Sequence, residues 1–287
     1  MLLEDFLMIN EAALRLGFFL GIFAAMAVWE VFAPRRVLLH SKRLRWGNNL
    51  GLVVLNTLIL RMVFPAAAVG MGLLAQELGW GLFNYVDAPF WLAVLASVLV
   101  LDFFIWLQHV MVHAVPLLWR LHRVHHADLD FDVTTGLRFH PLEILLSMLI
   151  KFAVILLLGP PLVAIVIFEI LLNATSMFNH SNVRIPVGID RVLRWLVVTP
   201  DMHRVHHSVE DDETNSNFGF NLPWWDRLLG TYRAQPRAGH QDMNIGIRSF
   251  RDEKWCAWLS GILVIPFVGK VTEYAINRRQ WAQHEDE

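Results

Sequence analysis

A single cysteine stands among the 287 residues. With Cys256 alone no internal disulfide can form, and a cysteine-based zinc or iron–sulfur site is excluded, so any metal must be held by nitrogen and oxygen. The HExxH pattern of zinc hydrolases is absent, as is a Gly-rich GxGxxG dinucleotide motif and a fused haem-binding or Cys-cluster segment. An excess of one charge is missing too: 24 Lys and Arg against 26 Asp and Glu give a net charge of −2, which offers no electrostatic footprint for nucleic acid. The opening MLLEDFLMIN has an acidic start and no small-residue cleavage site, so the first hydrophobic segment is expected to stay in the protein.

What fills the chain instead is apolar. Hydrophobic residues make up 55% of it, with 12 Trp and 19 Phe, and the mean hydropathy is +0.44, values of the membrane class. Runs long enough to cross a bilayer occupy residues 16–33, 50–75, 90–113 and 141–178. The last is too long for one span, and Gly159-Pro160-Pro161 near its middle breaks helical hydrogen bonding, which predicts four to five transmembrane helices. The stretch after the first run carries Arg35, Arg36, Lys42, Arg43 and Arg45 without an acid, whereas the next connection has only Glu77 and Asp87. The positive-inside rule then puts the first loop in the cytoplasm, and threading onward brings the chain out there after residues 113 and 178. Residues 179–254 are polar and read as a cytosolic cap; residues 255–267 are apolar but short, as an interfacial helix would be. The expected division is an N-terminal membrane region (1–89), a catalytic region of membrane helices plus cap (90–254), and an interfacial helix with a solvated tail (255–287).

Within this greasy chain the word HRVHH occurs twice, at residues 122–126 and 203–207, and ten of 13 histidines fall between residues 109 and 207. His109 and His113 are four apart, one face of a helix. His122, His125 and His126 stand at i, i+3, i+4, and His203, His206 and His207 repeat that spacing, so each word packs three imidazoles into a narrow wedge if helical. His180 lies where the last long run ends, and His140 just before that run begins. These ten are the candidate metal ligands. They exceed what one ion takes, so two metals are expected, each with an open position; imidazole alone does not choose between iron, zinc, copper and nickel. His40, His240 and His284 stand alone and are expected to be packed or hydrogen-bonded residues.

HX3H, then HX2HH, then a second HX2HH resembles the signature of the integral-membrane fatty acid hydroxylase and sterol desaturase superfamily. The similarity extends to DFFIWLQHVMVH, PLLWRLHRVHHADLDFDVTTGLRFHPLE, FNHSNVRIPVG, VTPDMHRVHHS and NSNFGFNLPWWDRLLGTYR, in family order across residues 102–233. Many relatives carry Arg directly after the first histidine; here it is Val110, which puts a contact behind that ligand in doubt. The resemblance implies an all-α integral membrane protein whose cap holds a histidine-rich dimetal site with two iron ions, zinc being a possible substitute. It further implies attack by O2 on an unactivated C–H bond of a lipid in the membrane, with hydroxylation preferred over desaturation, and electrons from outside the chain, by a separate donor protein or a reduced pterin. Zinc has no redox chemistry, whereas iron can pass electrons to O2.

Neighbouring residues are assigned supporting roles. Asp102, one to two turns before His109, Glu143, three after His140, and Asp201, two before His203, are each placed to hydrogen-bond a ligand histidine and hold its tautomer. Asn179 and Asn217 are expected near the metals from the resemblance. Arg61 beside Asn56 in the second span is expected to pair with an acid or a lipid headgroup, and Trp224 and Trp225 to anchor the cap at the membrane interface. Two other classes compete. A zinc hydrolase would need fewer histidines and a Glu base beside them; a metal transporter would line several spans near the midplane, whereas these histidines gather at one rim. The localisation expected is the inner membrane of a bacterium, with the active site facing the cytoplasm.

Overall fold

The computed structural model describes residues 3–271; His284 and the expected solvated tail lie outside the described residues. Every regular element among these is helical. Five stretches are long and apolar enough to cross a membrane: Glu11–Phe32, Lys42–Tyr85, Phe90–Ala114, Pro141–Leu158 and Leu162–Asn179. An all-α integral membrane fold follows.

The second crossing departs from its expected bounds. It starts at Lys42, not residue 50, because Ser41 Oγ accepts from Leu44 N–H and because Arg45 and Asn49, too polar for lipid, find partners in Asp128 and Thr134. It is also broken: Lys42–Val63 ends beside Pro65 and Ala67–Leu78 resumes beyond it, since proline removes a donor and crowds the preceding turn. Gly159-Pro160-Pro161 divides the long run as expected. Gly159 sits at φ +56°, and a Cβ on it would strike Trp80 O and Asn84, so this tight turn needs glycine.

Glu11–Phe32 lies along Leu162–Asn179, and Phe90–Ala114 packs on both Pro141–Leu158 and Leu162–Asn179. Leu101, Ile155, Ile165 and Phe168 form the buried centre of that bundle. Glu169 is a charged residue inside it, bridged by Lys151 Nζ at 2.6 Å and Arg15 Nη2 at 2.5 Å; pairing is what makes ionised groups tolerable at that depth.

Above one end of the bundle sit shorter helices and loops, fastened by Arg45, which donates to Asp128 Oδ1 at 2.7 Å and Asp132 Oδ2 at 2.5 Å, all three nearly inaccessible to solvent. The apolar stretch near the C-terminus forms Glu253–Cys256, Leu259–Val264 and a 3-10 turn at Ile265–Phe267. These pieces are too short to cross. They dock on Lys42–Val63 and Pro116–His126, with Ile262 and Ile265 fully buried and Arg123 Nη2 donating to Ile265 O at 2.6 Å.

Candidate metal centre

The first HRVHH word is wholly helical, and the second is helical up to His206 with His207 as its cap. The first closes Pro116–His126, which Pro116 starts at the first helical position; the second closes Pro200–His206, where Thr199 Oγ1 accepts from Met202 N–H. Proline at the first turn and a hydroxyl cap both favour these short helices. The two helices face each other at the end of Phe90–Ala114, and nine histidines meet between them. His109, His113, His122, His126 and His206 form one group and His125, His180, His203 and His207 another, and within each group one ring nitrogen per residue lies within 4.8 Å of the others. Each HX2HH word divides: the outer pair His122 and His126 serves the first group while His125 turns to the second, and in the later word His206 goes to the first while His203 and His207 go to the second.

Hydrogen bonds decide which nitrogen carries the proton. His109 Nδ1 donates to Phe218 O at 2.7 Å, His206 Nδ1 to Ser216 O at 2.7 Å, and His180 Nδ1 to Ser176 O at 2.8 Å. His122 Nδ1 is hydrogen-bonded to the Glu143 carboxyl at 2.6 Å. A main-chain carbonyl oxygen can only accept, so Nε2 on His109, His206 and His180 is a bare lone pair. His109 Nε2, its lone pair bare, faces His122 Nε2 3.1 Å away. His180 Nε2 stands 3.0, 3.1 and 3.2 Å from Nε2 of His125, His203 and His207. One lone pair cannot accept comfortably from three donors, whereas a cation among the rings satisfies all four nitrogens at once. Imidazoles on a common ion at about 2.1 Å, at roughly right angles, would bring their nitrogens about 3.0–3.2 Å apart. The donor set therefore fits a metal in each group, and the otherwise unpartnered buried nitrogens of His113, His126 and His206 point the same way.

Burial sets the charge of these rings. It pushes His122 and His180 down to about 3, and it lowers His125, His126, His203, His206 and His207 well below the ordinary histidine value, with neighbouring imidazoles adding to the effect. The cap histidines are neutral at physiological pH, the form in which imidazole binds metal. Aromatic rings close the walls: Phe139 stacks on His125 with centroids 4.5 Å apart, and Phe131, Phe218 and Phe220 pack against the other imidazoles.

The supporting residues fall differently from expectation. Glu143 does hold a group histidine, though His122 and not its sequence neighbour His140. His140 itself joins neither group: it caps Pro141–Leu158, its Nδ1 accepting from Leu142 N–H at 3.2 Å, while Nε2 faces Leu263 O at 3.3 Å, so both ring nitrogens are engaged by main chain. Asp102 accepts from the Trp225 indole at 2.8 Å and not from a histidine. Asp201 pairs with Arg35 and Arg204, because the cations on either side outbid a neutral ring. Asn179 Nδ2 donates to Phe220 O at 2.9 Å. Asn217 spends its side chain on main chain, donating to Met202 O and Arg233 O and accepting from Arg233 N–H, and its φ of +52° presents Ser216 O and Phe218 O, on either side of it, to His206 and His109. These carbonyls, with Ser176 O, carried no sequence signal. Gly136 is a related omission, for a Cβ there would come within 2.4 Å of Ser176 O and 3.1 Å of His180 Nδ1.

Residues 94–231 match the fatty acid hydroxylase family, a stretch holding all nine of these histidines. Ornithine lipid hydroxylase OlsE of Rhizobium tropici is 31% identical over 157 residues, 55% of this chain and 46% of that protein. Alkylglycerol monooxygenase of Homo sapiens is 30% identical over 151 residues, 52% of this chain and 32% of that one. Fatty acid hydroxylase vlmA of Lecanicillium sp is 25% identical over 205 residues, 67% and 53% respectively. The alignments thus span about a third to a half of these curated relatives. No solved structure matches the chain significantly.

Proposed function

We propose, from the premise that residues 94–231 belong to the fatty acid hydroxylase family, that this protein is a membrane-bound oxygenase that hydroxylates an unactivated C–H bond of a lipid. The relatives' names specify an ornithine lipid, an alkylglycerol and a fatty acid, which supports an acyl or alkyl chain as the part that reaches the site. The reading rests above all on the convergence of nine imidazoles in two groups, with His180 Nε2 facing three others within 3.2 Å. Two iron ions, one per group, are the proposed metals; bound iron supplies the electron transfer to O2 that zinc cannot.

The chain's own residues have definite tasks in this reading. Ser216 O, Phe218 O and Ser176 O hold protons on Nδ1 so that Nε2 stays free, and with Glu143 orient the rings before any ion arrives. Phe139 and Phe220, against the imidazoles, exclude water from the place where a hydrocarbon would lie. Electrons are proposed to come from a separate donor protein or a reduced pterin, and residues 90–254 to form the catalytic unit. The run of Arg35, Arg36, Lys42, Arg43 and Arg45 supports a site facing the cytoplasm, in the inner membrane of a bacterium. The test is iron content and O2-dependent lipid oxidation by the purified protein, read as a mass gain of one oxygen. Both should be lost in His125→Ala and His206→Ala; full oxidation by either variant would refute the assignment, and loss of two hydrogens in place of a gained oxygen would make it a desaturase.

A further inference from the structure

One large apolar surface of the cap has no protein against it. Val187, Ile189, Val192, Trp195, Leu196 and Leu228 are each 58–74% exposed, and Trp224 and Leu229 extend the same face. Two separate segments build it as a unit: Trp224 Nε1 donates to Trp195 O at 2.8 Å, Arg227 Nη2 to Arg194 O at 3.0 Å, and the Arg227 guanidinium lies 3.7 Å over the Trp195 ring. A soluble face would mix in charges of both signs. Here the acid of Val187–Leu193, Asp190, is turned inward onto Arg194, and the charges left outside on residues 181–196 are Arg184 and Arg191.

The depth of this face follows from the helices beside it. Pro141–Leu158 and Leu162–Asn179, each about 27 Å long at 1.5 Å per residue, run between the Gly159 turn and the level of His140 and His180. That length nearly matches a hydrocarbon core of about 30 Å, so the histidine level marks its near edge. Asp102 lies seven residues from His109 on the membrane side, about 10 Å further in. Trp225 reaches it there: the indole donates to Asp102 and packs on Phe103 with ring centroids 5.1 Å apart. One residue on, Asp226 accepts from the Trp106 indole at 3.0 Å. The same carboxylate accepts from Phe218 N–H, Gly219 N–H and Thr231 Oγ1, which satisfies the irregular main chain as a low-dielectric setting demands.

We propose that residues 187–196 and 224–229 are inserted into the near leaflet of the bilayer that the five helices cross, with acyl chains against the apolar face and Arg184 and Arg191 at lipid phosphates. Part of the cap is then a monotopic membrane element and not a solvated domain.

The native thiol makes the test clean, since Cys256 is 1% exposed and burial pushes it up to about 12, leaving it unreactive. Single cysteines at Val192 and Leu228, with Arg237, whose side chain is 62% exposed, as the aqueous control, are nitroxide-labelled in the full chain in lipid nanodiscs. Collision with dioxygen and with a water-soluble nickel chelate is then measured, and circular dichroism confirms the helical fold of each variant. The expected result is several-fold less nickel contact and more dioxygen contact at 192 and 228 than at 237. Nickel contact equal to that at 237 overturns the proposal, and so does low contact with both reagents, which marks cover by protein, a second copy included. Val187→Cys and Leu229→Cys repeat the measurement independently should either first variant fail to fold.

Discussion

Removing the Glu143 carboxylate should loosen one metal and spare the other. Glu143 Oε1 is hydrogen-bonded to His122 Nδ1 at 2.6 Å, both side chains being almost fully buried. It is a side-chain partner among contacts that are otherwise main-chain carbonyls, so it orients one ligand ring in a way that a substitution can remove. Glu143→Ala leaves a buried ring nitrogen unsatisfied and frees the ring to turn. Losing such a supporting partner costs about 10–100-fold in metal affinity, or about 1.4–2.8 kcal/mol at 1.4 per tenfold. His122 belongs to the five-histidine group, so only that ion should weaken. Chelator titration of purified protein with metal analysis reads this directly: Glu143→Ala should lose one metal at about 10–100-fold lower chelator and hold the second as wild type does. Glu143→Gln, which keeps a hydrogen-bonding amide oxygen in place, should fall between. Ser216→Ala should change nothing, because His206 is held by the main-chain carbonyl. Release of both ions from Glu143→Ala at wild-type chelator concentration would refute the reasoning.

Three further outcomes follow from the same geometry. His140→Ala should keep both metals and lose a helix cap and the contact with Leu263 O, about 1–2 kcal/mol, seen as a small drop in thermal midpoint; loss of a metal would restore His140 as a ligand. Asn217→Ala gives up three hydrogen bonds and puts a Cβ residue without a polar side chain at φ +52°, and should cost about 2–4 kcal/mol; Asn217→Gly, which relieves only the backbone, should recover part of it in the same thermal scan. Burial raises the Asp128 carboxyl, but Arg45 outweighs it and holds the group at about 2. A carboxyl held low contributes stability that is complete above the unfolded value near 4 and is lost as pH falls through about 2, so roughly 2 kcal/mol should disappear between pH 5 and 2, and Asp128→Asn should remove that slope.

Eight of the nine grouped histidines were legible because helical spacing is local: i, i+3, i+4 fixes a face before any tertiary contact forms; His180 was legible from its place at the end of the last apolar run. Gly159-Pro160-Pro161 was legible for the same reason. The start of the second span was not, since whether Arg45 and Asn49 extend a helix depends on Asp128 and Thr134, some eighty residues away. His140 looked like its neighbours in composition, yet its place before Pro141 makes it a cap, a role the spacing of other histidines hides. Asp102 and Asp201 stood at plausible distances from histidines along the chain, but stronger partners, the Trp225 indole and the Arg35 and Arg204 guanidiniums, arrive from elsewhere. The carbonyls of Ser176, Ser216 and Phe218 belong to the backbone common to every residue, so no side-chain pattern could name them.

The most direct trial of the two-ion account is anomalous diffraction at the iron edge from crystals of protein purified without added metal. Two peaks are predicted, one enclosed by His109, His113, His122, His126 and His206 and the other by His125, His180, His203 and His207. A single peak, peaks away from these rings, or a signal at the zinc edge alone would contradict it.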